Sequence, residues 1–191
     1  MKIIYIVLLS IIIPSTTFEI IQEQSTIQWK GTKSTGSYHD GLINIDNGFV
    51  NIEQNNIMSG KIIIDMNSIT CTDIEDPNSN KYLVEHLKND DFFSVAEFPL
   101  SILEFNKITH IKHDDYSIIG DLTIKNQTYP IEFIANIKIH KNTAVASGSI
   151  EINRAQYGIK YKSKTWHQDL GDRFINDIFE LYFNLIAKPK P

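Results

Sequence analysis

A single cysteine, Cys71, occurs in 191 residues, which excludes an intramolecular disulfide and leaves stability to packing. Positive charge is also short: 18 Lys and Arg stand against 23 Asp and Glu, for a formal net charge of −5. That balance excludes the basic footprint of a nucleic-acid binder. Lys160, Lys162 and Lys164 alternate with Tyr161, Ser163 and Thr165, as on a solvated strand or loop face. Catalytic signatures are missing as well. There is no Gly-x-Ser-x-Gly elbow and no His-Glu-x-x-His motif, so neither a serine-hydrolase nor a zinc-peptidase arrangement is written locally. The acid pairs Glu75/Asp76, Asp90/Asp91 and Asp114/Asp115 are sequence neighbours. They point apart rather than across a cleft, as the two carboxylates of a glycosidase must. Cys71 has no neighbouring histidine or cation in the sequence to activate its thiol. His110-x-x-His113 before Asp114-Asp115 resembles metal-ligand spacing, but it falls between two strands where a hydrated loop is expected. No metal, other cofactor or catalytic residue is expected.

One long apolar run is present, from Ile3 to Ile13. It is well short of the ~20 residues a membrane-spanning helix needs. Lys2 precedes it and small polar residues follow from Ser15 to Thr17, the order of a secretory signal peptide. The expectation is a removable leader over residues 1–17 and a mature domain over residues 18–191. The mature chain would be periplasmic or secreted, with no stable membrane anchor after cleavage. No cysteine follows the run to take a lipid.

The remainder alternates with period two. Tyr129, Ile131, Phe133, Ala135, Ile137 and Ile139 interleave with Glu132, Asn136, Lys138 and His140. Ala144, Ala146, Gly148, Ile150 and Ile152 repeat the pattern with smaller side chains, and Tyr116 to Ile124 and Phe179 to Leu185 add two more strands. Ile27 to Gly31, Leu42 to Asp46, Gly48 to Glu53, Lys61 to Met66 and Leu100 to Phe105 read as further strands. Asn47-Gly48 reads as a hairpin turn between two of them, and Lys125-Asn126-Gln127 as a tight turn into Thr128. Some eight or nine short strands with polar connections indicate a sandwich or a closed barrel. One interruption is helical: Pro77-Asn78-Ser79 opens a segment whose apolar stripe, Tyr82, Leu83 and Leu87 with His86, runs into Phe92-Phe93 and then Phe98-Pro99. Rings of this kind bury ~150–250 Å² each. The segment therefore needs a large apolar surface, either a core or a cavity wall, and the helix is expected across one barrel end.

These motifs together resemble the YceI-like proteins. Trp29-x-Gly31-x-Lys33 is followed by Gly36-x-x-His39-x-Gly41, Gly60, and Ile64-Asp65-Met66-x-Ser68-Ile69. Then come His86-Leu87-Lys88 with Asp91-Phe92-Phe93 and Phe98-Pro99, Gly120-x-Leu122-Thr123-Ile124, and Arg154-x-x-Tyr157-Gly158-Ile159. The resemblance covers roughly residues 22 to 187. Two departures stand out: Asn126 replaces a turn glycine, and Tyr161 to Phe174 forms a longer segment than in the simplest members.

The resemblance implies an all-β, antiparallel, lipocalin-like barrel of about eight strands with a short helix inserted near the middle. It implies non-enzymatic binding, sequestration or transport of a long apolar lipid, polyisoprenoid or fatty-acyl, with no nucleic-acid partner. Association into a homodimer is a further expectation. The ligand-binding residues expected on this basis are Trp29, Lys33, His39, Phe92, Phe93, Phe98, Phe133, Ile150 and Tyr157. Ala144, Ala146 and Gly148 would leave room for a slim ligand. Structural readings stand beside these: Trp29 as a plug, His39 as a polar turn cap, and Arg154 paired with Asp65 or Asp177 rather than with a phosphate. An exported interaction module with a filled core, or a hydrolase, are the alternative functions.

Overall fold

The computed structural model describes residues 15–167, 169 and 171–190. Residues 1–14, most of the expected leader, lie outside them; its last two residues, Thr16 and Thr17, open the first strand. Among the described residues nine strands and one α-helix follow in chain order. The strands are β1 (Thr16–Ile20), β2 (Thr26–Lys33), β3 (Tyr38–Glu53), β4 (Asn56–Asp65), β5 (Leu100–Lys112), β6 (Asp115–Ile124), β7 (Gln127–His140), β8 (Thr143–Asn153) and β9 (Ile175–Pro189); α1 (Pro77–Lys88) lies between β4 and β5. No helix among these residues is long and apolar enough to cross a membrane.

The strands close into an antiparallel ring, β3-β2-β9-β8-β7-β6-β5-β4, completed by pairing of β3 with β4. β1 lies end to end with β2 in the same place in the ring, pairing with β3 and β9 as β2 does. The break between them is a 3-10 turn at Gln22–Gln24. Ser25 bridges it, donating its hydroxyl to the Ile21 carbonyl (2.8 Å) while accepting the Ile186 N–H (3.0 Å).

The period-two pattern becomes the barrel wall, with apolar positions turned inward and polar ones outward. Asn47-Gly48 is not a turn. β3 runs through it as one strand with a bulge against β4, and the hairpin falls at Gln54 and Asn55, both with positive φ. Two left-handed residues are what a two-residue hairpin turn demands, and Gln-Asn lacks the glycine that advertises it. Lys125 and Asn126 form the second such turn, also at positive φ, where the sequence placed it.

The helix begins as its sequence dictates. Asp76 caps it, its carboxylate accepting the Ser79 N–H at 2.8 Å, with Pro77 in the first turn. The connections between β2 and β3, β4 and β5, β6 and β7, and β8 and β9 gather at one end of the barrel, hereafter the lid end. The hairpins at 54–55, 113–114 and 141–142 form the opposite, base end.

Candidate functional site

The barrel is hollow. A base-end chamber lies between its walls, and every side chain lining it is Ile, Leu, Val, Ala or Phe. A lid-end chamber shares Ile27, Ile64, Leu122, Ile152 and Leu181 with it. The two therefore form one apolar column along the axis. Polar side chains reach only the lid-end chamber: Trp29, Ser101, Arg154 and Asn176.

Phe133 and Ile150 line the base-end chamber, as expected of inward-facing strand positions. Ala144 and Ala146 line it too, and their small side chains keep it open. Gly148 does not. A Cβ there would sit 2.9 Å from the Phe183 ring and 2.7 Å from the Ile134 carbonyl, so the space left by that glycine is filled by Phe183. Phe179, Leu181 and Phe183 are wall residues not singled out from the sequence, although the alternation of β9 already put them on the inner face.

The lid-end chamber adds residues from segments between strands, Met66, Ile69, Leu87, Phe92, Phe93 and Arg154, to a wall otherwise made of strand residues. Trp29, on β2, lines it while its indole N–H donates to the Thr70 carbonyl at 2.9 Å. Leu87, from the last turn of α1, and both Phe92 and Phe93 line it as well. Phe92 is buried (7% exposed). Its ring stands edge-on to His86 with centroids 5.1 Å apart, lies 5.4 Å from the Tyr161 ring, and sits under the Arg154 guanidinium at 5.9 Å. Phe93 is half-buried and meets Phe179 edge-on at 6.3 Å.

Arg154 is the most buried charge in this region, at 3% exposed. Its Nε donates to Asn176 O (3.1 Å), Nη1 to Ile159 O (3.2 Å) and Tyr161 O (2.9 Å), and Nη2 to Ile175 O (2.9 Å), with Asp177 Oδ1 3.5 Å away. The pairing with Asp177, not Asp65, is thus observed, and the guanidinium's donors are committed within the chain. Burial pulls the guanidinium below its ordinary pKa while the Asp177 charge works the other way. Burial also works to raise Asp177, but the neighbouring Ser163 and Thr165 hydroxyls, the Thr165 N–H and the Arg154 charge outweigh it and hold the carboxyl below its ordinary range.

Four expected site residues stand outside both chamber walls. Lys33 is exposed at the end of β2, its N–H donating to Ser37 O. Phe98 is half-buried in the turn after Phe93, its N–H donating to Ser94 O. His39 pairs with Asp73 at 2.8 Å between Nδ1 and Oδ2, a polar cap at the lid end of β3. Asp73 also accepts the Asp40 N–H and the Cys71 thiol. Burial, and then the hydrogen bond to Asp73, pushes the Cys71 thiol up, away from nucleophilic character. Tyr157 is buried, its hydroxyl donating to Leu122 O at 3.4 Å and its ring edge-on to Tyr129 at 5.3 Å. Burial pushes its pKa up to about 12. Between the two histidines considered as metal ligands, His110 Nε2 lies 2.7 Å from the His113 carbonyl, a turn contact.

The profile of the YceI-like domain matches residues 18–187. Among solved structures, BcnA of Burkholderia cenocepacia superposes with a TM-score of 0.71 at 18% identity, over 88% of this chain and 99% of that one. A polyisoprenoid binding domain from Saccharophagus degradans, implicated in plant cell wall breakdown, superposes with a TM-score of 0.66 at 13% identity, over 92% of this chain and 99% of that one. Identities this low show the shared fold. No curated protein matches the sequence.

Proposed function

The chain belongs to the YceI-like family, and we propose that it is a non-enzymatic carrier that encloses one long apolar lipid chain, polyisoprenoid or fatty-acyl, in the barrel. The observation that carries this reading is the base-end chamber, a cavity lined by hydrocarbon side chains alone and continuous with a second one through shared walls. Burying lipid carbon is worth ~0.8 kcal/mol per CH₂, so a five-carbon isoprene unit contributes roughly 4 kcal/mol before ordering costs. A few units exhaust the affinity range open to non-covalent binding, about −18 to −21 kcal/mol. Such a site needs few polar contacts, and only the lid-end chamber offers any. The solved domain from Saccharophagus degradans, named for polyisoprenoid binding, supports the ligand class.

The mature chain acts outside the cytoplasm in this reading, after removal of residues 1–17. From Phe18 onward β1 still pairs with β3 and β9. Native mass spectrometry of protein purified from a lipid-containing host is the test. A bound species with the mass of a prenyl or acyl lipid, and a mature N-terminus near Phe18, are expected. Protein that emerges ligand-free and takes up no prenol from vesicles would overturn the carrier reading.

A further inference from the structure

The eight-strand ring is not closed along its whole length. The ladder between β4 and β5 runs from Asp65↔Leu100 to Gly60↔Phe105 and stops there, although β4 extends on to Asn56 and β5 to Lys112. Beyond that rung β4 pairs only with β3, and β5 only with β6. A bulge in β5 between Phe105 and Lys107 turns the strand aside. Phe105 sits at the top of the resulting seam with its ring over Gly60, where a Cβ would lie 2.4 Å from the ring; no other residue type fits under it. Met58 and Ile111, on the two lips, are each 48% exposed. Just inside, Ile57 and Ile108 pack against the core, and Ile57 lines the base-end chamber. Among the described residues no side-chain hydrogen bond or ion pair joins the two lips.

Two other routes in are closed. At the lid, Lys125 Nζ donates to Phe92 O (2.9 Å), Lys88 Nζ to Asn67 O (2.6 Å), and Arg154 ties the 159–161 segment to β9. A second seam, where β7 and β8 part before Ala135↔Gly148, is stoppered by the buried Tyr157 against Tyr129. Lifting the lid strands the buried Arg154 guanidinium and its carbonyl acceptors, which are costly to leave unpaired. Parting the lips below Phe105 breaks no ladder bond and exposes hydrocarbon to hydrocarbon.

We propose that the lipid passes sideways, through the seam between β4 and β5 at the base end, and that the lid stays shut during loading. This rests on the carrier reading. The test uses the full chain in a Cys71→Ala background, with a bulky maleimide attached at Met58→Cys or Ile111→Cys on the lips, or at Tyr82→Cys on the lid helix. All-trans-retinol, an isoprenoid alcohol, is delivered from phosphatidylcholine vesicles and its fluorescence followed in time. Either lip label should slow uptake at least tenfold, while the Tyr82 label leaves the rate within twofold. A second variant, Ser59→Cys with Asn106→Cys on the next rung below Gly60 and Phe105, should load slowly when oxidised and recover its rate on reduction. The proposal is overturned if the lid label alone slows uptake, or if labels and disulfide leave the rate unchanged while retinol still binds. If the unlabelled chain takes up no retinol at all, the carrier reading fails and the seam with it.

Discussion

The two ends of the cavity are made of different material. At the base, strand residues alone form the wall, and hydrocarbon packing and the sheet ladders hold it. At the lid, residues of the connections, from Met66 to Phe93 and at Arg154, join strand residues in the wall, tied by donors aimed at carbonyls: the buried Arg154, the partly buried Lys125, and Lys88 and the Trp29 indole nearer solvent. An apolar wall can yield by small rotamer changes at modest cost. A wall fixed by buried hydrogen bonds keeps its shape until one bond fails, and then loses much of it. The difference teaches which end can open and which end frames the ligand.

The largest expected effect is therefore at the lid. Arg154→Leu strands four backbone carbonyls and Asp177, and should cost about 3–5 kcal/mol, as for a buried ion pair stripped of one partner. Ile150→Val, in the base-end wall, should cost only ~0.5–1.5 kcal/mol. Urea denaturation of the two variants measures both. Near-equal losses would erase the contrast. Next in size is a pair within the lid itself. Phe92→Ala removes a fully packed ring and should cost about 3 kcal/mol or more. Phe93→Ala, half-buried against Phe179, should cost less stability but shorten lipid retention, read as the rate of retinol transfer back to vesicles. A Phe93 variant that melts early yet holds retinol normally would make that ring core rather than cavity wall.

The same contrast marks what the sequence could reveal. The barrel wall was legible because alternation is local: Phe133 and Ile150 follow from period two, as the tight turn at Lys125-Asn126, at the lid end, follows from its neighbours. Where a left-handed turn used Gln54-Asn55, the signal was absent, and Asn47-Gly48 drew the hairpin to a bulge instead. The family motifs located the lid segment, yet which of its residues face the cavity depends on contacts distant in sequence. Lys125 reaching Phe92, or Arg154 reaching Asn176 and Tyr161, has no periodic signature. Hence Lys33, His39, Phe98 and Tyr157, motif residues all, lie outside the chamber walls, while Phe179 and Leu181 stand in them. Gly148 carries a parallel lesson: a missing side chain makes a void only if no neighbour fills it, and Phe183 does.

A smaller effect probes the base end alone. Ala146→Leu adds hydrocarbon to the open chamber and should raise stability by about 0.5–2 kcal/mol, as cavity filling does, while weakening retinol binding severalfold. The thermal midpoint and a binding titration read the two together. If stability falls and binding survives, the chamber is tighter than its walls indicate and the ligand lies nearer the lid.

The smallest effect is electrostatic and confined to the lid. The Asp177 carboxyl is held below its ordinary range, so its contribution to stability is complete above the unfolded value near ~4 and is lost as pH falls through the lower folded value. What it secures is local: the carboxylate accepts the Thr165 hydroxyl at 2.7 Å and its N–H at 3.2 Å, and faces Arg154. Trp166 follows directly, its indole donating to Ala155 O at 3.4 Å beneath Lys160. Acid should therefore loosen this loop before the β ladders melt. In a Trp29→Phe chain, which leaves Trp166 as the sole tryptophan, the emission should shift to longer wavelength below pH 4 while the far-ultraviolet dichroism of the sheet holds. Asp177→Asn should show the shifted emission already at neutral pH and little further change in acid. Emission that moves only with the sheet signal would mean that the loop and barrel melt as one unit, and that the lid end is no more dependent on its polar ties than the base is.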